Sequence, residues 1–356
     1  MVSLLNQYYL VLLDKVFALK KIQIIAELGN THDGSFGLAK QMIRTAADCG
    51  VDAVKIQTHI FDAESLPNAP NPPYFKDETR KEYFERTSFS KEQYLRLTNF
   101  SEKECGVEFL SSPFSYEAVH FLEEVGMRRY KIPSGEVSNI PMLIEVAKTG
   151  KPVILSSGMS PWSDIDLAVS TLRNNGCSDL SILQCASRYP CPPEQVGLNV
   201  IAELKARYKV PIGYSDHTLG CAAPFAAATL GAAIIEKHFT LSTLMYGSDA
   251  KHSMEPDEFR VMVTGIRQIK AMLSHPVSKD KAVGDLDEMK RVFEKSIVTR
   301  AAVPKGTVIT KDMIAAKKPG TGIPARYFDD IVGKSSVVDL PENHIILIDD
   351  IEGLKL

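Results

Sequence analysis

Charged residues lie inside otherwise apolar segments of this 356-residue sequence. Lys55 stands in AVKIQT and Lys131 in RYKIPS. A buried lysine is rare unless it is paired, although its stem can also pack against apolar neighbours while the ammonium group reaches water. Because the two lysines have equivalent places, we interpret them as parts of a pocket for phosphate and carboxylate groups. Three serines fit the same pocket: Ser134, Ser156 and Ser215.

Two histidines lie at the carboxyl ends of two successive apolar segments, His217 just after one and His238 at the end of the next. His217 stands in GYSDHT and His238 in EKHF. The ends of adjacent parallel strands lie about 5 Å apart, so the two imidazoles could bind one divalent metal ion. A lone histidine at a strand end is more often a hydrogen-bonded core residue. The pair favours an ion such as Mn²⁺, Fe²⁺, Co²⁺ or Zn²⁺, which would polarise a carbonyl group.

Two glutamates, Glu27 and Glu136, are the candidate acid–base or orienting carboxylates. They could equally serve as the ion-pair partners of Lys55 and Lys131, and the sequence does not separate these roles. His32 follows the first apolar run and could also touch the site. No Walker or GxGxxG loop is present, so a nucleotide is not the expected ligand.

Eight short apolar runs carry these residues, and helix-like segments separate the runs. Such regular alternation predicts a closed (β/α)8 TIM barrel, in which reactive groups collect at the carboxyl ends of the strands. The long segment at 61–89 follows the second run, so we expect a loop near the substrate. The runs cover residues 22–28, 53–58, 108–113, 130–135, 152–157, 180–185, 211–216 and 234–239.

Composition divides the chain into four parts. Residues 1–20 are apolar but lack a signal peptide's basic start and cleavage site, so we expect an extension that plugs the barrel. The barrel should span 21–275, followed by a polar linker at 276–292 and a small domain at 293–356. In that domain VPKGTVITKDMI (303–314) aligns with LPENHIILIDDI (340–351). This repeat predicts a duplicated turn–strand unit, with Gly306 and Asn343 at equivalent left-handed turn positions.

The overall composition excludes several classes of function. A net charge of −3 with dispersed signs offers no surface for nucleic acid. No apolar stretch reaches the roughly 18 residues that span a bilayer. The six cysteines form no CxxC pair, which favours reduced thiols in a cytoplasmic protein.

The order of the motifs resembles that of the N-acylneuraminate (sialic acid) synthases. The resemblance runs from about Ile22 onward and includes a tail similar to the antifreeze-like SAF domain, a β-clip fold. The motifs that carry it are AELGNTHDGS, VKIQT, YKIPSGE, ILSSGM, LQC with YPCPP, GYSDHT, EKHF and KKPGTGI.

The resemblance implies both substrates and their sites. The lysines and serines named above would bind phosphoenolpyruvate, and His217 and His238 would bind a divalent metal, usually Mn²⁺. Carbon 3 of phosphoenolpyruvate would attack the open-chain aldehyde of an N-acyl amino sugar, typically N-acetylmannosamine, and phosphate would leave after water adds at carbon 2. The family also implies a domain-swapped homodimer. The sugar would contact Glu27, Glu136, Tyr189, Asp249 and Lys318.

Two positions leave the acceptor sugar open. Lys318 replaces an arginine that is common in the family, and Ser187 replaces a common asparagine. A legionaminic or pseudaminic acid synthase, or a spore-coat-polysaccharide relative, would share the chemistry. Synthesis of a heptulosonate type would need further arginines for a second phosphate, and a non-catalytic sugar-binding accessory protein would not need the charged strand ends.

Overall fold

The computed structural model describes residues 21–71, 78–279 and 286–355. The chain forms two compact units, Met1–His275 and Pro276–Leu356. The extension expected at 1–20 lies outside the described residues. None of the helices in the described ranges has both the length and the apolar character needed to cross a membrane.

Eight parallel strands close into a barrel, and β1 completes it by pairing with β8. This confirms the (β/α)8 barrel. The strands are β1 (Gln23–Gly29), β2 (Ala53–Thr58), β3 (Glu108–Pro113), β4 (Tyr130–Ile132), β5 (Val153–Ser156), β6 (Leu180–Cys185), β7 (Ile212–Asp216) and β8 (Ile234–His238). The main helices of this unit are α1 (Phe36–Asp48), α2 (Phe61–Glu64), α3 (Arg80–Thr87), α4 (Lys91–Asn99), α5 (Tyr116–Glu124), α6 (Ile140–Lys148), α7 (Trp162–Asn174), α8 (Asn199–Tyr208), α9 (Ala222–Thr229) and α10 (Pro256–Ser274).

The barrel interior is divided into an apolar layer and a polar layer. Side chains of a strand alternate between its two faces, so residues two apart share the lumen. Moving two residues towards the carboxyl end changes the inward side chain from Ile25 to Glu27 and from Ile234 to Glu236. The polar groups therefore collect at one end of the lumen. The apolar layer consists of Ile25, Ala53, Leu110, Ile154, Leu183 and Ile234.

The segment at 61–89 was expected to be a loop, and this expectation was wrong in part. It contains α2 and α3, and α3 starts with a capping box in which Thr79 and Glu82 satisfy each other's backbone N–H groups. The prolines between residues 67 and 73 separate these two helices in the sequence and favoured the expectation of a loop. The segment follows β2, at the polar end of the barrel.

The C-terminal unit pairs β9 (Ser296–Thr299) with β10 (Ile314–Lys317) in antiparallel orientation. It also contains α11 (Asp287–Phe293), so the second half of the expected linker is helical, and α12 (Phe328–Ile331). Its core is almost entirely isoleucine: Ile297, Ile309, Ile314, Ile323, Ile331, Ile346 and Ile351, with Leu354.

The expected internal repeat is present in this unit. Gly306 and Asn343 both adopt left-handed backbone, with φ of 81° and 59°. The equivalent residues Val303 and Leu340 pair with each other. Each copy continues into isolated bridges and a 3₁₀ turn, at Lys311–Met313 and Ile348–Asp350, where the sequence had predicted a strand.

Candidate active site

The first polar group in the lumen joins β1, β2 and β3. Lys55 Nζ lies 2.6 Å from Glu27 Oε2 and donates to Ser112 Oγ at 3.1 Å. Both members of the ion pair are almost fully buried. Burial acts to lower the pKa of Lys55, but the charges of Glu27, Glu236 and Asp249 and the hydrogen bond to Glu27 together raise that pKa above its ordinary value. Lys55 therefore keeps a positive charge inside the barrel.

The second group crosses the lumen from β4 to β8. Lys131 Nζ lies 3.0 Å from Glu236 Oε1, which also accepts a hydrogen bond from Ser215 Oγ at 3.1 Å. The expectation that Glu136 could pair with Lys131 was wrong, because closure of the barrel brings Glu236 to this lysine. Burial acts to raise the pKa of Glu236, but Lys131 and Lys55 hold it below its ordinary value.

One oxygen of this second group has no partner. Among the described residues, Glu236 Oε2 is buried and forms no hydrogen bond. An unsatisfied buried carboxylate oxygen is costly, so water or a ligand hydroxyl is expected to donate to it. The lumen is therefore arranged for a polar ligand.

His217 and His238 lie side by side, with ring centroids 5.4 Å apart. His217 Nδ1 lies 2.9 Å from the Ala186 carbonyl oxygen, so this nitrogen carries the proton and Nε2 keeps a free lone pair. Burial lowers the pKa of His238, which favours its neutral form. The ring of Tyr189 covers both, with its centroid 4.1 Å from that of His217 and 5.9 Å from that of His238.

Imidazoles bind metal in their neutral form, and two of them at this separation fit a divalent metal ion. Within the described ranges, no group of three or more His, Cys, Asp and Glu side chains completes a ligand set. Water or substrate oxygens would therefore supply the other ligands.

Asp249 approaches the end of β1 through a gap left by Gly29. A Cβ atom on Gly29 would overlap Asp249 Oδ2 and lie 3.7 Å from Gln57 Nε2. Gln57 Nε2 donates to Glu27 Oε1 at 2.9 Å. Asp249, Gln57 and Glu27 therefore form a polar patch beside the first ion pair.

The remaining predicted site residues lie in three places: next to Cys185, at the end of β5 or just after β4, and in the C-terminal unit. Ser134 Oγ lies 3.5 Å from Cys185 Sγ, and Ser156 is buried at the end of β5. Glu136 is half-buried, its pKa is raised by burial, and Oε2 accepts from Asn139 Nδ2 at 2.7 Å. Lys318 belongs to the C-terminal unit, where its Nζ lies 5.1 Å from the ring centroid of Phe293.

Two members of this site have no role in the sequence analysis. Glu236 stands among the charged strand-end residues, and its place two residues before His238 on the same strand face could have indicated one. No such indication exists for Cys185, because its thiol meets His217 Nδ1, at 3.8 Å, only in the folded barrel. Burial acts to raise the pKa of Cys185, but His217, Ser134 and Lys131 together lower it to about 7.

A closed (β/α)8 barrel whose lumen holds two lysine–glutamate pairs beside two histidines at one end has the arrangement of an enzyme active site. Comparison with known proteins identifies the family. The NeuB family matches residues 42–278, and the SAF domain matches residues 294–352. The chain belongs to the NeuB family, as the resemblance predicted.

Relatives of known name agree with this assignment. The chain is 36% identical to the N,N'-diacetyllegionaminic acid synthase of Campylobacter jejuni, covering 92% of this chain and 99% of the relative. It is 35% identical to the N-acetylneuraminate-9-phosphate synthase of Homo sapiens, covering 91% of each. The crystal structure of the N-acetylneuraminic acid synthetase of Leptospira borgpetersenii is 32% identical and superposes with a TM-score of 0.66, covering 76% of this chain and 93% of that one.

Proposed function

We propose that this enzyme condenses phosphoenolpyruvate with the open-chain aldehyde of an N-acyl amino sugar, giving a nonulosonic acid and phosphate. The observation that carries the proposal is the set of two buried lysines beside two neighbouring histidines at one end of the lumen. Relatives that are themselves nonulosonic acid synthases support it.

Phosphoenolpyruvate would bind at the polar end of the lumen. Lys55 and Lys131 provide two positive charges for its phosphate and carboxylate groups, and both are buried, where charge–charge attraction is strong. The hydroxyls of Ser134, Ser156 and Ser215 would complete this pocket. Gly158 leaves room there, since a Cβ atom on it would lie 2.6 Å from Ser134 Oγ.

His217 and His238 would hold the metal, which we infer to be Mn²⁺ from the family resemblance. When bound, the metal supplies Lewis-acid polarisation of the aldehyde carbonyl. Tyr189 covers the two imidazoles and would exclude bulk water from this position.

The acceptor sugar would contact Glu27, Asp249 and Tyr189, with Glu136 nearby. Carbon 3 of phosphoenolpyruvate forms a bond to the aldehyde carbon, and the new alkoxide takes a proton. Water adds at carbon 2, and phosphate leaves with cleavage of its bond to that carbon. Glu136 suits the proton donor, because its raised pKa keeps more of it protonated.

The identity of the acceptor sugar depends on the residues that contact its acyl group, which take no part in the bond-forming steps. Lys318 would contact the acyl group from the SAF domain of a domain-swapped partner, as the family resemblance implies. A lysine offers one charged point and no planar fork, so a different acyl group from N-acetylmannosamine's is possible. The free cysteines fit a reducing cytoplasm. A non-catalytic accessory protein would have no use for two buried lysine–glutamate pairs.

The direct test is a condensation assay with a panel of acceptors. The protein is incubated with phosphoenolpyruvate, Mn²⁺ and N-acetylmannosamine, its 6-phosphate or a 2,4-diacetamido sugar. We expect phosphate release with at least one acceptor, and a product mass equal to both substrates plus water minus phosphate. A chelator should stop release, and added Mn²⁺ should restore it. No release with any acceptor would refute the proposal.

A further inference from the structure

His59 follows β2 and lies between two aromatic rings. Its ring centroid is 3.8 Å from that of Phe84, in α3, and 4.0 Å from that of Phe114, after β3. The planes are nearly parallel on the Phe84 side, at 5°. Aromatic faces carry partial negative charge, so this sandwich favours a cation between them.

Both ring nitrogens of His59 meet acceptors. Nδ1 lies 2.9 Å and 3.0 Å from the two carboxylate oxygens of Glu64, and Nε2 lies 3.0 Å from Gln57 Oε1. The reverse orientation of the Gln57 amide would place its oxygen against Glu27 Oε1, which now accepts from Gln57 Nε2 at 2.9 Å. Glu27 therefore fixes the orientation of the Gln57 amide, with its oxygen towards His59, and Glu64 presents carboxylate oxygens to the other ring nitrogen. Because both neighbours of His59 are acceptors, both of its ring nitrogens must donate.

A chain of contacts consequently runs from the 61–89 segment into the lumen. It passes from Glu64 through His59 and Gln57 to Glu27, which pairs with Lys55. His59 and Glu64 are nearly buried, with side-chain exposures of 7% and 8%. A buried Glu64 carboxylate needs a positive partner, and His59 is the residue that forms an ion pair with it within the described ranges.

We propose that His59 is held as an imidazolium by Glu64, and that it is a positioning residue that orients Gln57 and Glu27 towards the acceptor sugar. The inference rests on the proposed function, because Glu27 and the adjacent Asp249 form the acceptor patch described above. It gives the 61–89 segment a role: α2 supplies Glu64 and α3 supplies Phe84. These two helices thereby set the orientation of side chains in the lumen.

The structural consequence can be stated for Glu64→Gln, which keeps the side-chain shape and removes the charge. A neutral His59 has one N–H, so it can no longer donate to both neighbours. If it donates to residue 64, Nε2 becomes an acceptor and the Gln57 amide must turn its oxygen towards Glu27. Glu27 then loses a donor and gains a repulsive neighbour.

The test compares Glu64→Gln with Asp62→Asn. Asp62 lies on the same short helix, is exposed and contacts Lys81, so it is a matched control for loss of one carboxylate. A long-range ¹H–¹⁵N spectrum at pH 7, assigned with His59→Phe, should show both His59 nitrogens protonated in the wild type and in Asp62→Asn. In Glu64→Gln one nitrogen should lose its proton.

Steady-state kinetics provide the second readout. In Glu64→Gln we expect KM for the acceptor sugar to rise about tenfold or more, with KM for phosphoenolpyruvate within about twofold of wild type. Asp62→Asn should change neither. His59→Phe keeps the ring stacking and removes both donors, so it should repeat the effect on the sugar more strongly.

Two results would overturn the inference. One is a His59 with a single protonated nitrogen in active wild-type protein; the other is an equal change of both KM values in Glu64→Gln. Failure of the wild type to condense any acceptor is a different outcome, which refutes the proposed function and leaves the spectrum as the measure of the His59 charge.

Discussion

The two faces of β7 and β8 use charged residues in opposite ways. Along each strand, alternate residues point into the lumen or out towards the helices. Ser215, Glu236 and His238 belong to the inward face, whereas Asp216 and Lys237 form an ion pair on the outward face. The two sets lie one residue apart in sequence, and Ser215 and Glu236 are as buried as Asp216 and Lys237.

The outward pair is fully satisfied. Lys237 Nζ donates to Asp216 Oδ2 and to the Thr218 carbonyl oxygen, the latter at 2.7 Å. Asp216 also accepts from the Tyr214 hydroxyl at 2.8 Å and the Thr218 backbone N–H at 3.0 Å. The inward set differs, since Glu236 Oε2 has no partner among the described residues.

This difference separates structural from ligand-binding charge. A buried ion pair with every hydrogen bond made joins two strands and needs nothing more. A buried carboxylate with an open oxygen is incomplete until a ligand or water reaches it. Both kinds look alike in composition, and only their hydrogen-bond partners distinguish them.

Replacement of the histidines on the inward face should greatly lower the catalytic rate and change the free energy of unfolding little. Replacing His217 or His238 by alanine should lower kcat/KM by at least about 10³-fold, equivalent to about 4 kcal/mol, because the metal loses a ligand. Far-ultraviolet circular dichroism and thermal unfolding should remain close to wild type. Calorimetric titration with Mn²⁺ should show loss of binding. Wild-type turnover in either variant would refute the hypothesis that these two histidines bind a catalytic metal.

The outward face should show the reverse pattern. Lys237→Met leaves Asp216 buried without its cation, which should reduce the free energy of unfolding by about 3–5 kcal/mol. Urea unfolding measures this effect. Lys81→Met, which removes an exposed cation, is the control and should leave the unfolding midpoint nearly unchanged. A small loss for Lys237→Met would contradict the structural role assigned to the pair.

His32, which follows β1, is another buried polar side chain with an atom that lacks a partner. It is 1% exposed, Nδ1 accepts from the Gly34 N–H at 3.2 Å, and Nε2 has no partner among the described residues. Burial lowers its pKa to about 4, opposed by Asp249. Folded His32 therefore stays neutral while the unfolded chain takes up a proton below about pH 6.5.

Acidification should consequently weaken the fold through this residue. The contribution of neutral His32 to the free energy of unfolding is fully present above pH 6.5 and is lost as the pH falls. Between pH 7 and pH 4.5 this loss should be roughly 2 kcal/mol. His32→Asn keeps an acceptor for Gly34 and removes the titrating ring, so its unfolding free energy should fall less over the same range. Equal slopes for both proteins would show that His32 does not titrate as expected.

The sequence predicted the elements better than the contacts between them. Eight strands were found because each is a short apolar run with a polar carboxyl end. The partner of Lys131 was not found, since Glu236 meets it across a barrel whose closure the sequence does not encode locally. His59 escaped for a similar reason: its contacts come from Glu64, Phe84 and Phe114, in three separate segments.

Gly29 limits how this active site can evolve. Every single-base change of a glycine codon that alters the residue introduces a Cβ atom or stops translation. At Gly29 any such atom overlaps the carboxylate of Asp249, and the φ of +52° adds strain. Point mutation at this position therefore displaces Asp249 from the polar patch at once. Any lineage that replaces this glycine must therefore tolerate a displaced Asp249 from the first mutation onward.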